Sequence, residues 1–360
     1  MRPHHESGAN APHARRPGTA LALLAILAAP AAAQAPASGA TPQATFRNPI
    51  LESGPDPWVI AHDGIYYYTH TLGTRIALWR TTDVTDLAHA EQRIVWTPPK
   101  TGANAHSIWA PELHRIGGKW YIYYSATAAG FKDDAHRAVF VLENGAANPL
   151  EGEWIDRGRI NTARAGIDGT VFEQGGTWYF AYSPYIGAVS GLAIARMANP
   201  WTLIGGETVI ARPDKPWEDR GGRRILEGPQ FLKGPAGDLF MTYSAGACWS
   251  DDYALGLLTA KRGGDLLDAS TWTKHPEPVL RSGNGIYATG HNGFFTSPDG
   301  REQWIVYHAN PAAGMGCTAK RAPHMQRIEW SAAGTPRFGP PAAPATRLRK
   351  PSGTRGSAAR

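Results

Sequence analysis

Residues 109–124 read Trp109-Ala110-Pro111-Glu112-Leu113-His114-Arg115-Ile116-Gly117-Gly118-Lys119-Trp120-Tyr121-Ile122-Tyr123-Tyr124. A carboxylate heads a short apolar strand, a Gly-Gly pair turns the chain, and an aromatic strand returns. Gly-Gly and Asp-Gly between apolar runs signal a tight hairpin, because both turn residues must take positive φ. The pattern recurs along the chain. Asp56-Pro57-Trp58-Val59-Ile60 turns at Asp63-Gly64 into Tyr66-Tyr67-Tyr68. Asp168 leads to Val171-Phe172, a turn at Gly175-Gly176, and Trp178-Tyr179-Phe180. Glu227 leads to a turn near Gly237 and Leu239-Phe240-Met241. His291 leads to Phe294-Phe295, a turn at Asp299-Gly300, and Trp304-Ile305-Val306-Tyr307.

The five leading residues are spaced 56, 56, 59 and 64 apart. Further strand-like runs follow the hairpins at 75–80, 138–142, 192–196 and 255–260, so each unit holds about four short strands, the content of one propeller blade. No long stretch has helical periodicity. The spacing therefore predicts an all-β fold, a five-bladed β-propeller over residues 45–340. A β-sandwich with accidental self-similarity would not repeat turn and aromatics in register.

Composition agrees. A chain of 360 residues with 41 Gly, 29 Pro, 13 Trp and only 18% charged residues is not a coiled coil, a charged disordered protein or a disulfide mini-protein. The formal charge of +6 sits at the ends: net +2 in residues 1–33, net +5 in 341–360, and −1 between. A near-neutral body argues against nucleic acid as partner despite the basic pI. Residues 341–360, rich in Pro, Gly, Ser and Ala, read as a flexible basic tail. Arg15-Arg16, an apolar run Thr19–Ala33 and Ala31-Ala32-Ala33 before Gln34 read as an export signal over 1–33, with a linker at 34–44. The run is shorter than the ~20 residues a spanning helix needs, and Pro30 interrupts it, so no membrane association is expected after cleavage. Export permits Cys248 and Cys317 to pair, while two free thiols remain the alternative.

In a propeller the first strand of each blade lines the axis, so Asp56, Glu112, Asp168, Glu227 and His291 converge. Crowding acids raises their pKa values and costs free energy, which marks a functional site. Two carboxyls with separated pKa values are what glycosidic cleavage needs: one ionised to activate water, one protonated for the leaving oxygen.

These residues carry a resemblance. Asn48-Pro49 with Pro55-Asp56-Pro57, Trp109-Ala110-Pro111-Glu112, Ile167-Asp168-Gly169, Leu226-Glu227-Gly228-Pro229 and Gly290-His291 resemble, in order and spacing, glycoside hydrolase family 43, five-bladed propeller enzymes acting on arabinose- and xylose-containing polysaccharides. The resemblance implies Asp56 as general base, Glu227 as general acid, and Asp168 as the carboxylate that orients the acid and keeps its pKa raised, with inversion at the anomeric carbon. Glu112 is left out of this set. It implies Trp109 as a wall of the sugar pocket, against a plain packing role, and His291 as an axial residue beside substrate that in many relatives contacts calcium. No cofactor is required for the chemistry. His308 and Arg321 lie near the last blade, within reach of the pocket, with no role assigned.

The stretches 106–114, 247–253 and 287–292 look most like the arabinofuranosidases. The expectation is an exported, monomeric, exo-acting enzyme releasing terminal α-L-arabinofuranose from plant cell-wall arabinan or arabinoxylan fragments. The rivals are a β-xylosidase or endo-arabinanase of the same family, a propeller that binds glycans without cutting them, and the retaining fructan-cleaving propellers.

Overall fold

A computed structural model describes residues 44–354. The expected export signal and nearly all of the linker lie outside the described residues. Within them the regular structure is mostly strand, and the helical turns are short 3₁₀ segments such as Val84–His89 and Pro216–Glu218. No helix among the described residues is long and apolar enough to cross a membrane.

The five expected units are five antiparallel sheets, each built in chain order, and together they form a five-bladed β-propeller. Blade one runs through Trp58–His62, Ile65–Thr69, Ile76–Thr81 and Glu91–Trp96. Blades two, three and four begin with His106–Ile116, Gly166–Gln174 and Leu226–Lys233, and each has four strands in its main path. Blade five has three, Tyr287–Thr296, Gln303–Asn310 and Ala322–Arg327, one short of the expected four. The first hairpin turn of blades two and three is Gly-Gly with both φ positive, and Asp63-Gly64 does the same in blade one (φ 50° and 74°). That geometry matches the strand twist.

The aromatic second strands work through their two-residue period. Tyr67 faces blade two, packing in one cluster with Leu113, Trp120 and Ile122. Its neighbours Tyr66 and Tyr68 face blade five, beside Phe295, Trp304 and Val306. Likewise Trp120, Ile122 and Tyr124 point back to blade one, and Tyr121 and Tyr123 point on to Val171 and Phe180 of blade three. Two more clusters join blade three to four and four to five. The core is therefore a ring of inter-blade seams.

The ring closes between blades five and one. The Asn48 side chain donates to the Met325 carbonyl and accepts from the Met325 N–H, both at 2.9 Å. The N–H groups of Ile50 and Gly54 donate to the carbonyls of Pro323 and Arg321. The segment before blade one thus lies along the outer strand of blade five, where the missing fourth strand would be.

The expected flexible tail is corrected for residues 341–354. Leu348–Arg349 pairs antiparallel with Thr45–Phe46, and the Lys350 N–H donates to the Ala44 carbonyl at 2.9 Å. Leu348 packs on the blade five–one seam, and the Lys350 ammonium meets the Asp83 carboxylate. Composition suggested looseness, but a proline-rich segment can still add an edge pair and match its charge to an acid.

Candidate active site

Each blade's first strand carries or is entered by a residue with left-handed backbone near the axis: Asp56 (φ 55°), Ala110 (42°), Asp168 (57°), Gly228 (57°) and His291 (48°); Ser107 (54°) and Ala288 (50°) add a second kink at the start of this strand in blades two and five. In blades two to five the ladder slips at that residue. A left-handed conformation costs a non-glycine residue roughly 1–2 kcal/mol. Such bulges re-aim side chains, here at the axis. The equivalent positions are therefore not the set expected from the repeat: Glu227 lies one residue before its kink and Glu112 two residues after. Glu112 is buried, and its two oxygens meet the His114 imidazole (2.9 Å) and the Gln230 side-chain amide.

The kinked N–H groups are caught by the preceding blade. Ala110 donates to Thr71 Oγ1 (2.7 Å), Asp168 to Ser125 Oγ (2.9 Å), His291 to Ser244 Oγ (2.7 Å) and Asp56 to His308 Nδ1 (3.1 Å). These acceptors share one slot, opposite the residue before the kink. Ser183 holds that slot in blade three, opposite Ile167. Yet the Gly228 N–H donates instead to Asp168 Oδ2 at 3.0 Å, and the buried Ser183 hydroxyl has no partner among the described residues. One scaffold donor is thereby diverted to a carboxylate.

Asp56 is buried beside one guanidinium, two imidazoles and a hydroxyl. Arg321 donates to its Oδ1 at 3.0 Å and Thr71 Oγ1 to its Oδ2 at 2.6 Å, while His308 and His291 stand 3.3 and 3.5 Å from Oδ1. Burial pushes its pKa up, but Arg321, then His291 and His308, outweigh burial and hold it well below the usual carboxylate range. His308 is held neutral, its pKa lowered to about 3 by burial and by Arg321.

Asp168 and Glu227 behave in the opposite way. Burial raises Asp168 to about 7, with repulsion from Glu227 and Asp56 adding to it against His291 and the Gly228 N–H. Burial also raises Glu227, although His291 and the Tyr253 hydroxyl, which donates to its Oε1 at 2.7 Å, act against that. The two carboxyls repel each other, so the pair keeps a proton where Asp56 has none. His291 itself is raised: burial opposes the charge, and Asp56, Asp168 and Glu227 outweigh burial.

Trp109 is half-buried, with the Arg137 guanidinium 3.6 Å over its ring. His308 and Arg321, within expected reach, both contact Asp56. Tyr253, Thr71 and Arg137 were missed. Hydroxyls and loop arginines carry no sequence signal of their own, although Thr71, Ser125, Ser183 and Ser244 recur at one slot of the repeat.

Calcium favours six to eight oxygens. The donors round His291 do not make that cage: the oxygens of Glu112 and Asp56 are taken by protein partners, and the Nδ1 of His291 faces Asp56. Among the described residues no group of three or more His, Cys, Asp or Glu side chains is arranged to hold a metal.

Blade four's loop 246–253 and blade five's loop 311–321 are joined by a disulfide between Cys248 and Cys317. A cleft of about 600 Å³ lies at the far ends of the first strands of blades four and five, lined by Lys233, Arg327 and Trp330 among others. It is on the face opposite the carboxylates, and Arg327 there is already paired with Glu302 and Glu329.

Comparison with known proteins agrees with this geometry. The chain is 40% identical over 339 residues to an extracellular exo-α-(1→5)-L-arabinofuranosidase of Streptomyces avermitilis, covering 90% of this chain and 68% of that protein. It is 39% identical over 302 residues to the enzyme of that name from Streptomyces chartreusis, covering 81% and 89%. The crystal structure of an α-L-arabinofuranosidase from Lactobacillus brevis superposes with a TM-score of 0.79 at 32% identity, covering 84% of this chain and 98% of that one. The model of glycosyl hydrolases family 43 matches residues 46–336. With a matching propeller and an axial cluster of acids, the chain is a glycoside hydrolase and belongs to family 43.

Proposed function

We propose that this enzyme is an inverting, exo-acting α-L-arabinofuranosidase that releases terminal arabinose from arabinan or arabinoxylan oligosaccharides. The observation that carries the chemistry is the opposed tuning of the acids: Asp56 held ionised, Glu227 and Asp168 held with a proton between them. Asp56 accepts a proton from the attacking water as its oxygen bonds the anomeric carbon. Glu227 gives its proton to the departing glycosidic oxygen. Asp168, held by the amide next to Glu227, keeps the acid loaded. A base as weak as Asp56 acts chiefly by staying charged beside the positive transition state and orienting the water. No cofactor enters.

The arabinose preference follows the named activity of the relatives, two of which share 39–40% identity with this chain. Exo action is supported by a strap at the mouth. Arg223, in the hairpin entering blade four, donates to Asp134 in the loop 128–137 of blade two at 2.7 Å. Blades two and four meet there past blade three, which favours a closed pocket over an open groove. Export to an oxidising compartment fits the disulfide and the extracellular naming of the relatives.

The test is the product profile on linear arabinan, with nitrophenyl α-L-arabinofuranoside and β-xyloside in parallel. Arabinose alone from the polymer, and turnover of the arabinoside only, are expected. Early oligosaccharides or a preference for the xyloside would overturn the reading.

A further inference from the structure

Trp249 stands at the catalytic face and has no established role. It lies in the loop 246–253 between Leu239–Ala245 and Ala254–Ala260, which emerges on the same side as the carboxylates. Its side chain is 46% exposed. The other exposed large apolar residues have ordinary settings: Ile94, Ile155 and Ile204 sit on outer fourth strands, and the Phe131 ring is stacked by His136 at 3.7 Å. No ring stacks on Trp249 among the described residues.

The exposed indole is also fixed in place. Its N–H donates to the Gly221 carbonyl at 2.8 Å, and the Ala247 N–H to the Arg220 carbonyl at 2.8 Å. Its neighbour Cys248 is tied to Cys317. Gly221 has φ +76°, and a Cβ there would come within 2.8 Å of the Ala247 Cβ and 3.0 Å of the indole nitrogen. An apolar plane immobilised at the surface before any ligand arrives is pre-organised for binding. At the end of the same loop, the Tyr253 hydroxyl holds Glu227. The acid delivers its proton to the leaving oxygen, so the leaving sugar lies on this side of the mouth.

We propose that Trp249 is the platform on which the sugar of the leaving group rests, its C–H face against the indole. The proposal rests on the arabinofuranosidase reading and names the occupant as an arabinofuranosyl residue. Aromatic faces suit such a ring because it presents apolar C–H bonds on one side and hydroxyls at its edge.

The experiment compares Trp249→Ala and Trp249→Phe with wild type on arabinotriose and on methyl α-L-arabinofuranoside, whose leaving group has no ring. Trp249→Ala should lose about tenfold in kcat/KM on arabinotriose, mostly through KM. On the methyl glycoside it should stay within about twofold, and Trp249→Phe should recover most of the loss. Equal loss on both substrates would mean a structural role and overturn the platform, as would no loss on either. A wild-type enzyme that releases arabinose from neither substrate overturns the arabinofuranosidase reading, and the platform's occupant with it.

Discussion

Asp56, buried, and Glu227, half-buried, are both carboxylates near one axis, and their neighbours separate them. Arg321 and two imidazoles surround the first, while the second has Asp168 beside it and a tyrosine hydroxyl on one oxygen. The sign of each shift predicts a limb of the pH profile. Asp56 is depressed, so activity should fall on the acid side only below the ordinary carboxylate range. The Glu227–Asp168 pair is raised, Asp168 to about 7, so activity should fall as pH rises through that region. In Asp168→Asn the repulsion is gone and Glu227 loses its proton sooner, so the alkaline limb of kcat/KM should move down by about one pH unit or more. An unmoved limb would show that Asp168 does not load the acid. The three acids were legible in the sequence because each opens a repeat with a costly residue type. Thr71 and Tyr253 were not, because a hydroxyl becomes informative only when its partner is known.

At the scale of the element, the kinked first strand makes the site. The repeat marked the strands and their turns, but a one-residue bulge is invisible in spacing. The alignment of leading residues therefore put Glu112 and Glu227 in the same frame as Asp56, and the structure separates them. Gly228 shows what the kink does: its backbone is left-handed and its N–H holds Asp168. Gly228→Ala should cost about 1–2 kcal/mol of stability through the strained φ alone. If the amide shifts from Asp168, kcat should fall about tenfold with KM little changed, the effect of one hydrogen bond to a charged group. Wild-type kcat in a variant with the lowered stability would separate strain from function and remove the role assigned to this amide.

The whole molecule depends on closure of the ring. Asn48 satisfies both backbone groups of Met325 across the join, and the pair Thr45–Phe46 with Leu348–Arg349 brings the two ends of the described chain together. Asn48→Ala leaves two buried backbone groups unpaired, so a loss of about 2–3 kcal/mol is expected, read as a melting temperature lower by roughly 4–6 °C. A change under 1 °C would show that closure does not pass through this residue. Blade number was legible because five copies recur at similar spacing. The closing device was not, because its partners lie 277 residues apart.

Closure brings Asp56 of blade one to the same mouth as Asp168 and Glu227, and the account rests on what those acids do there. The most direct test is proton NMR of the sugar first formed from an α-L-arabinofuranoside, read before mutarotation. Water activated by Asp56 and attacking opposite the leaving group gives the β-anomer, which is the predicted result. The α-anomer as first product would mean a covalent intermediate and a nucleophilic carboxylate, and would contradict the assignment of base and acid.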